Sequence, residues 1–339
     1  MATMDEIAKK AGVSQATVSR VINGNTSVNP ALREKVMYWV RKLDYQPNAT
    51  ARSLVNNKSY LLGLIIPDIS NPYFSEVVQS IEEEAENNGY NIILCNSNGS
   101  STKEKKHIKT LLSRQVDGFL IVPTNQKDTY LHKLKRDQIP VVVFTQQMDK
   151  YDSVAVDHKY GGSLAAKHLI DLGHTKLGFI GSKGEEKFRG YLSIIKKHGL
   201  SFKEEYFIES SGWLQLSTHD SYNKVCNYLK NKKRSLQATA FFANNDLAAF
   251  GAIQAFEEFG FSVPEKIAIV GFDNTSLADI CRPALTSIAQ PTGSIGSLAV
   301  ELLLKRINGQ AEKDIAKILL EPRLVIREST TGIDLSNLL

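Results

Sequence analysis

The chain has 339 residues, 42% hydrophobic and 23% charged, with a net charge of +5. That length exceeds what one hydrophobic core organises and points to two or three domains, and the composition excludes collagen-like and disordered classes. No apolar run of about 18 residues is present to span a membrane. The opening "MATMDEIAKK" has acidic residues where a secretion signal needs a basic region and then an apolar run, so the chain reads as cytoplasmic. Cys95, Cys226 and Cys281 lie far apart without a CxxC pair, which favours reduced core thiols over disulfides or a zinc site.

The charge is concentrated at one end. Residues 1–58 hold nine Lys or Arg against Asp5, Glu6, Glu34 and Asp44, a surplus of five, while the other 281 residues hold 32 of each sign. A small basic module on a neutral body is the asymmetry expected where one part of a protein meets a polyanion.

Within the basic segment, Met4, Ile7, Ala8 and Ala11 recur at helical spacing and predict a first amphipathic helix ended by Gly12. Ser14 suits the N-cap of a second helix, with Val18, Val21 and Ile22 on one face and Gln15, Ala16, Ser19 and Arg20 on the other. Asn29 and Pro30 open a third, with Leu32, Val36, Val40 and Leu43 inward. Two short helices joined by a glycine turn and buttressed by a third form a helix-turn-helix unit, whose second helix enters the major groove. In that setting Arg20 suits guanine O6 and N7, Gln15 suits adenine, and Ala16 packs on a thymine methyl. The next stretch, "YQPNATARSLVNN", offers about two turns of helix too polar to fold alone. It is suited to ordering on DNA with Arg52 near phosphates and Leu54 as an apolar wedge between base steps.

From residue 60 the chain alternates apolar runs with helical stretches: "LLGLIIPD", "NIILCNS", "GFLIVPT", "VVVF", "SVAVD", "KLGFIG", "ATAFFAN" and "IAIVGFD". This alternation predicts parallel βαβ units, hence an α/β body whose ligands bind at the carboxyl ends of the strands. The loops there, "PDISNPYF", "VDHKYGG", "ANND" and "GFDNT", combine carboxylates and amides with aromatic rings, a set that suits a neutral polyol such as a sugar. Helix capping by Asp68, Asp157, Asp246 and Asp273 is the alternative for each of these carboxylates.

Nucleotide and hydrolase chemistry finds no support. "GFIGSKG" has GxxGxxG spacing rather than GxGxxG, and no Walker lysine motif, HExxH or GxSxG turn occurs, so no catalytic, metal or cofactor site is expected.

"MATMDEIAKKAGVSQATVSRVINGN", "YQPNATARSL" and "GLIIPDISNPYF", in that order, resemble the lactose repressor and galactose repressor family to about residue 330. The resemblance implies a three-helix head over residues 1–46, a hinge helix over 47–58 and a two-lobed, periplasmic-binding-protein-like α/β body with parallel sheets over 59–339. Lobe one would take about 60–157 and 290–320, lobe two 158–289. It also implies a homodimer reading near-palindromic double-stranded operator DNA through paired heads and hinge helices. The DNA-binding set is then Ser14, Gln15, Ala16, Thr17, Ser19, Arg20 and Asn23 in the head, with Ala51, Arg52 and Leu54 in the hinge. For the effector, Tyr73, Phe74, Trp213, Asn245, Asp273 and Gln290 match family positions, Asp68 stands in the first strand's loop, and the effector is expected to be a sugar or sugar derivative. A purine or a protein co-regulator is the alternative controller. Thr145 departs from the Asp or Asn of many members, and the short loop "GSKGEEKFRGY" lacks the family's arginine, leaving Lys187 or Arg189 as substitutes. The ending "ESTTGIDLSNLL" lacks heptads, so no tetramerisation coil is expected.

Overall fold

The computed structural model describes residues 2–22, 28–45, 58–125, 129–210, 217–231 and 236–331, and the chain divides into two units at residues 59 and 60. The first unit contains α1 (Met4–Ala11), α2 (Gln15–Ile22) and α3 (Pro30–Lys42). A capping box opens α1: Thr3 Oγ1 accepts from the Glu6 amide and Glu6 returns the bond to the Thr3 amide. Gly12 closes it at φ 61°, a left-handed turn that glycine adopts without strain. Ser14 Oγ accepts from the Thr17 amide at 3.2 Å to start α2, and Asn29 Oδ1 accepts from Ala31 at 2.9 Å to start α3. Ile7, Ala8, Ala11, Val18, Val21 and Val36 form the core of this head. Leu32, expected inward, is only half-buried and stands outside that cluster.

The second unit is built on two six-stranded sheets. The first contains β1 (Leu61–Ile66), β2 (Asn91–Asn96), β3 (Gly118–Ile121), β4 (Val141–Thr145), β5 (Asp152–Val156) and β11 (Lys317–Leu320), all parallel, in the order β11-β5-β4-β3-β1-β2. The second contains β6 (Leu177–Gly181), β7 (Phe207–Glu209), β8 (Ala240–Ala243), β9 (Ala268–Asp273), β10 (Thr286–Ala289) and β12 (Arg323–Val325), ordered β12-β10-β9-β8-β6-β7, with β12 alone antiparallel. Each lobe thus reverses its strand order beside its first strand, between β1 and β3 and between β6 and β8. Crevices at such reversals are where open α/β sheets bind ligands.

The helices are α4 (Pro72–Asn87), α5 (Ser101–Ser113), α6 (Thr129–Arg136) and α12 (Thr292–Ile307) in lobe one. Lobe two has α7 (His158–Asp171), α8 (Glu186–Lys197), α9 (Thr218–Asn231), α10 (Asp246–Glu258), α11 (Leu277–Ile280) and α13 (Glu328–Thr331). Ile295, Ala299, Val300 and Leu303 of α12 pack with Leu64, Val77 and Ile81, so the returning helix completes the core of lobe one. Helices α7 and α8 pack closely: a Cβ on Gly162 would lie 1.9 Å from the Lys187 carbonyl oxygen and one on Gly190 1.8 Å from that of Lys159.

Two expectations need correction. The eight apolar runs account for eight strands, but twelve are present among the described residues: β7, β10, β11 and β12, each three or four residues long, fall outside those runs. The range 158–289 for lobe two omits β12 and α13, which return to it: Ser329 Oγ donates to the Ile269 carbonyl and Arg327 to that of Leu285. No helix among the described residues is long and apolar enough to cross a membrane.

Candidate functional site

In the head, the two faces of α2 separate as its spacing requires. Val18 and Val21 are buried, while Gln15, Ala16 and Arg20 are exposed. Thr17 and Ser19 are half-buried, and Ser14 and Thr17 share a 2.9 Å hydroxyl contact at the start of the helix. Asn23 and the hinge residues Ala51, Arg52 and Leu54 lie outside the described residues.

In the body, the ends of β4 and β9 and the segments after β1, β5, β6, β8 and β10 meet between the lobes around a cavity lined by Asn71, Tyr73, Phe74, Thr145, His158, Lys187, Asn244, Asn245, Asp273 and Gln290. A wider opening adjoins it through Thr145, His158 and Lys187 and carries Arg189 at its wall. Of the residues expected at the effector site, Tyr73, Phe74, Lys187, Asn245, Asp273 and Gln290 line this one cavity.

Asp68 does not line the cavity; its Oδ1 accepts from the amide and hydroxyl of Ser70 and shapes the loop before α4. Asn71, rather than Asp68, caps α4 through the Tyr73 amide at 3.1 Å. Arg189 is paired with Glu186 on its own helix. Trp213 lies outside the described residues. Asp246, a suggested cap, is instead buried under β9 and β10, accepting from Thr275 N at 2.7 Å and Ser287 Oγ at 2.6 Å, while Asn245 caps α10 through the Ala248 amide.

Charge inside the cavity is largely suppressed. Burial, with the neighbouring Lys187 cation, pushes the His158 imidazole down to about 3, so it is neutral at physiological pH. Burial raises the Asp273 carboxyl strongly, Lys187 opposes the shift and Asp246 adds to it, which favours the protonated acid. Tyr73 is held as the phenol by burial and by Asp273 and Glu76. Lys187 is the cation of the inner cavity: its Nζ donates to the Asn244 carbonyl at 2.9 Å and sits 3.8 Å from the Phe272 ring centroid.

Tyr73 Oη, His158 Nε2, Asn244 Oδ1 and Gln290 Oε1 are buried without a well-formed hydrogen bond, His158 and Gln290 lying near enough to interact with each other. Buried polar atoms are rarely left unpaired, and four around one cavity point to a ligand that supplies the missing bonds. Sequence reasoning missed His158 and Asn244, although both stand in polar loops it had singled out. No group of three or more His, Cys, Asp or Glu among the described residues is arranged to hold a metal.

A helix-turn-helix head on a two-lobed body with a polar interlobe cavity defines a DNA-binding regulator controlled by a small molecule. The family model of bacterial regulatory proteins, lacI family, matches residues 3–48, and the periplasmic binding protein-like domain matches residues 166–330. The chain is 36% identical over 336 residues to catabolite control protein A of Priestia megaterium, covering 97% of this chain and 99% of that one. It is 35% identical to the HTH-type transcriptional repressor PurR of Edwardsiella ictaluri, over 97% of each. Among solved structures, the Lac repressor dimer bound to operator and the anti-inducer ONPF superposes with a TM-score of 0.85 at 26% identity, covering 97% of this chain and 99% of that one. The chain belongs to the lacI family of bacterial regulatory proteins. Its function is DNA-binding transcriptional repression with an effector-binding body, and its relatives are regulators rather than enzymes.

Proposed function

We propose that this regulator acts in the cytoplasm as a homodimer on a near-palindromic operator, represses carbohydrate-utilisation genes and is controlled by a sugar or sugar derivative in the interlobe cavity. The observation that carries the effector reading is the set of four unpartnered polar atoms at Tyr73, His158, Asn244 and Gln290. All four groups are uncharged, two are amide oxygens that need a donor, and the Phe74 ring lies beside them. A sugar answers that inventory, since each hydroxyl donates and accepts while the CH face of its ring packs on an aromatic. The 35% identity to purine repressors supports a second reading, a purine, whose ring N–H groups also donate.

On the DNA side, the exposure of Gln15, Ala16 and Arg20 on one face of α2 supports base reading by these three residues. Ser14, Thr17, Ser19 and Asn23 would complete the head's contacts, with Ala51, Arg52 and Leu54 in the minor groove at the operator centre. The dimer rests on the similarity to the Lac repressor dimer. Effector binding would reorient the lobes and change the spacing of the two hinge segments, with a coupling of about 1–3 kcal/mol.

Thermal denaturation of the full-length protein with D-glucose, D-ribose, D-xylose, cellobiose, a sugar acid, a phosphosugar, hypoxanthine and guanine tests the effector class, because a ligand of the native state raises its melting temperature. A neutral sugar that raises it, and loses the effect in Trp213→Ala, supports the proposal. A response to purines alone replaces it with the second reading, and no response to any compound overturns both.

A further inference from the structure

Asn244, the first residue after β8, is 1% exposed and is held from two sides. Its backbone carbonyl accepts from Lys187 Nζ at 2.9 Å, and its side-chain Nδ2 donates to Glu185 Oε1 at 3.1 Å. Glu185 precedes α8 and makes no capping bond with its side chain, so its carboxylate is available to hold the amide. With the NH₂ group committed to Glu185, the amide cannot turn over without placing its oxygen against a carboxylate. Oδ1 is therefore the atom turned away from Glu185, and it is both buried and unpartnered in the cavity wall. A buried acceptor left open costs stability unless something fills it. The neighbouring Asn245 differs, because its Oδ1 is consumed by the Ala248 amide at the start of α10.

We propose that Asn244 is a specificity-determining residue of the effector site: its Oδ1 accepts a hydrogen bond from a ligand O–H or N–H, and Glu185 is the positioning residue that fixes its orientation. The assignment rests on the effector reading above and deepens it. The ligand must place a donor at this point, so a hydroxyl-bearing effector binds better than its deoxy counterpart. Glu185 acts only through Asn244. A glutamine at 185 keeps an acceptor oxygen for Nδ2, whereas an alanine releases the amide.

The test combines calorimetric titration of full-length protein, using the sugars and purines of the panel and the deoxy analogues of any sugar that binds, with melting temperatures of the ligand-free proteins. Asn244→Ala removes an unsatisfied acceptor but also the donor to Glu185, so it is expected to melt no more than about 3 °C below wild type while losing roughly tenfold or more in affinity. Its preference for a hydroxyl over the matching deoxy position should fall toward one. Glu185→Ala should lose affinity and Glu185→Gln should restore it to within about twofold of wild type, a rescue that a general packing role would not produce. A ligand-free melting temperature for Asn244→Ala lower by roughly 3 °C or more would assign the residue a structural role and overturn the inference. If a probe binds wild type and Asn244→Ala alike, the effector reading stands and this assignment alone fails. If no probe binds wild type, the effector reading falls and takes the assignment with it.

Discussion

Gln290 Nε2 donates to Asp273 Oδ1 at 2.6 Å, joining the loop that leaves lobe two after β10 to the end of β9, where Asp273 sits at φ 116°. The bond fixes Gln290 with its Oε1 unpartnered in the cavity. It also sets a pH dependence. Burial raises the Asp273 carboxyl above its unfolded value, so the folded state holds a proton that the unfolded chain releases. The stability this contributes is fully present below the ordinary carboxylate range and is lost as pH rises toward the folded value, at about 1.4 kcal/mol per pH unit while the states differ by one proton. Urea denaturation at pH 5 and pH 8 should show a smaller decline for Asp273→Asn than for wild type, and an equal decline would refute the assignment.

Arg20 is exposed on α2 beside Gln15 and Ala16, so its removal should leave the head folded. Arg20→Ala is expected to lose about 1–3 kcal/mol of affinity for an operator selected by wild type from random DNA, with specificity relaxed at one base position. Fluorescence anisotropy against the operator and against unrelated DNA distinguishes this from a phosphate contact, which would weaken both equally.

Gly162 permits the close approach of α7 and α8, since a Cβ there would lie 1.9 Å from the Lys187 carbonyl oxygen. The obstacle is backbone and cannot swing aside, so Gly162→Ala should cost about 1–3 kcal/mol in urea denaturation. Because the displaced residue is Lys187, effector binding should weaken as well; a variant that is destabilised yet binds normally would show that the helices yield without moving the cavity.

Arg306 grips Asp152 through Nε at 2.6 Å and Nη2 at 2.8 Å, and it also donates to the carbonyls of Glu312 and Asp314. Asp152 is buried and Arg306 partly exposed. Asp152→Ala should therefore destabilise by an amount near the lower end of the roughly 3–5 kcal/mol typical of broken buried pairs. A chemical denaturation curve shifted by less than about 1 kcal/mol would place the pair among exposed ones.

Much of this was legible in the amino acids. Ile7, Ala8, Val18 and Val36 announce the head's core by helical spacing, and "LGFIG" and "AIVGFD" announce central strands by unbroken apolar runs. β11 did not announce itself, because "KILL" is an edge strand buried on one side only, and four residues of alternation are too few to separate from a loop. In "ANND" both asparagines line the cavity, and which of them also caps α10 and which leaves its oxygen open is set by the turn rather than by composition. His158 was passed over because it belongs to no metal or catalytic spacing, and its relevance comes from burial beside Lys187 and Gln290.

The chain passes between the lobes three times: after β5, after β10 and between β11 and β12. Neither lobe is a contiguous stretch of gene. A fragment ending at residue 157 lacks α12 and β11, and with them Ile295, Ala299 and Leu303 from its core. The lobes must therefore mature together after the ribosome has delivered nearly the whole body, and a premature stop anywhere before α12 leaves both of them incomplete. Three backbone crossings tie the lobes against sliding and separation and leave rotation about the line they define as the least hindered displacement, the one to which the proposed effector would couple.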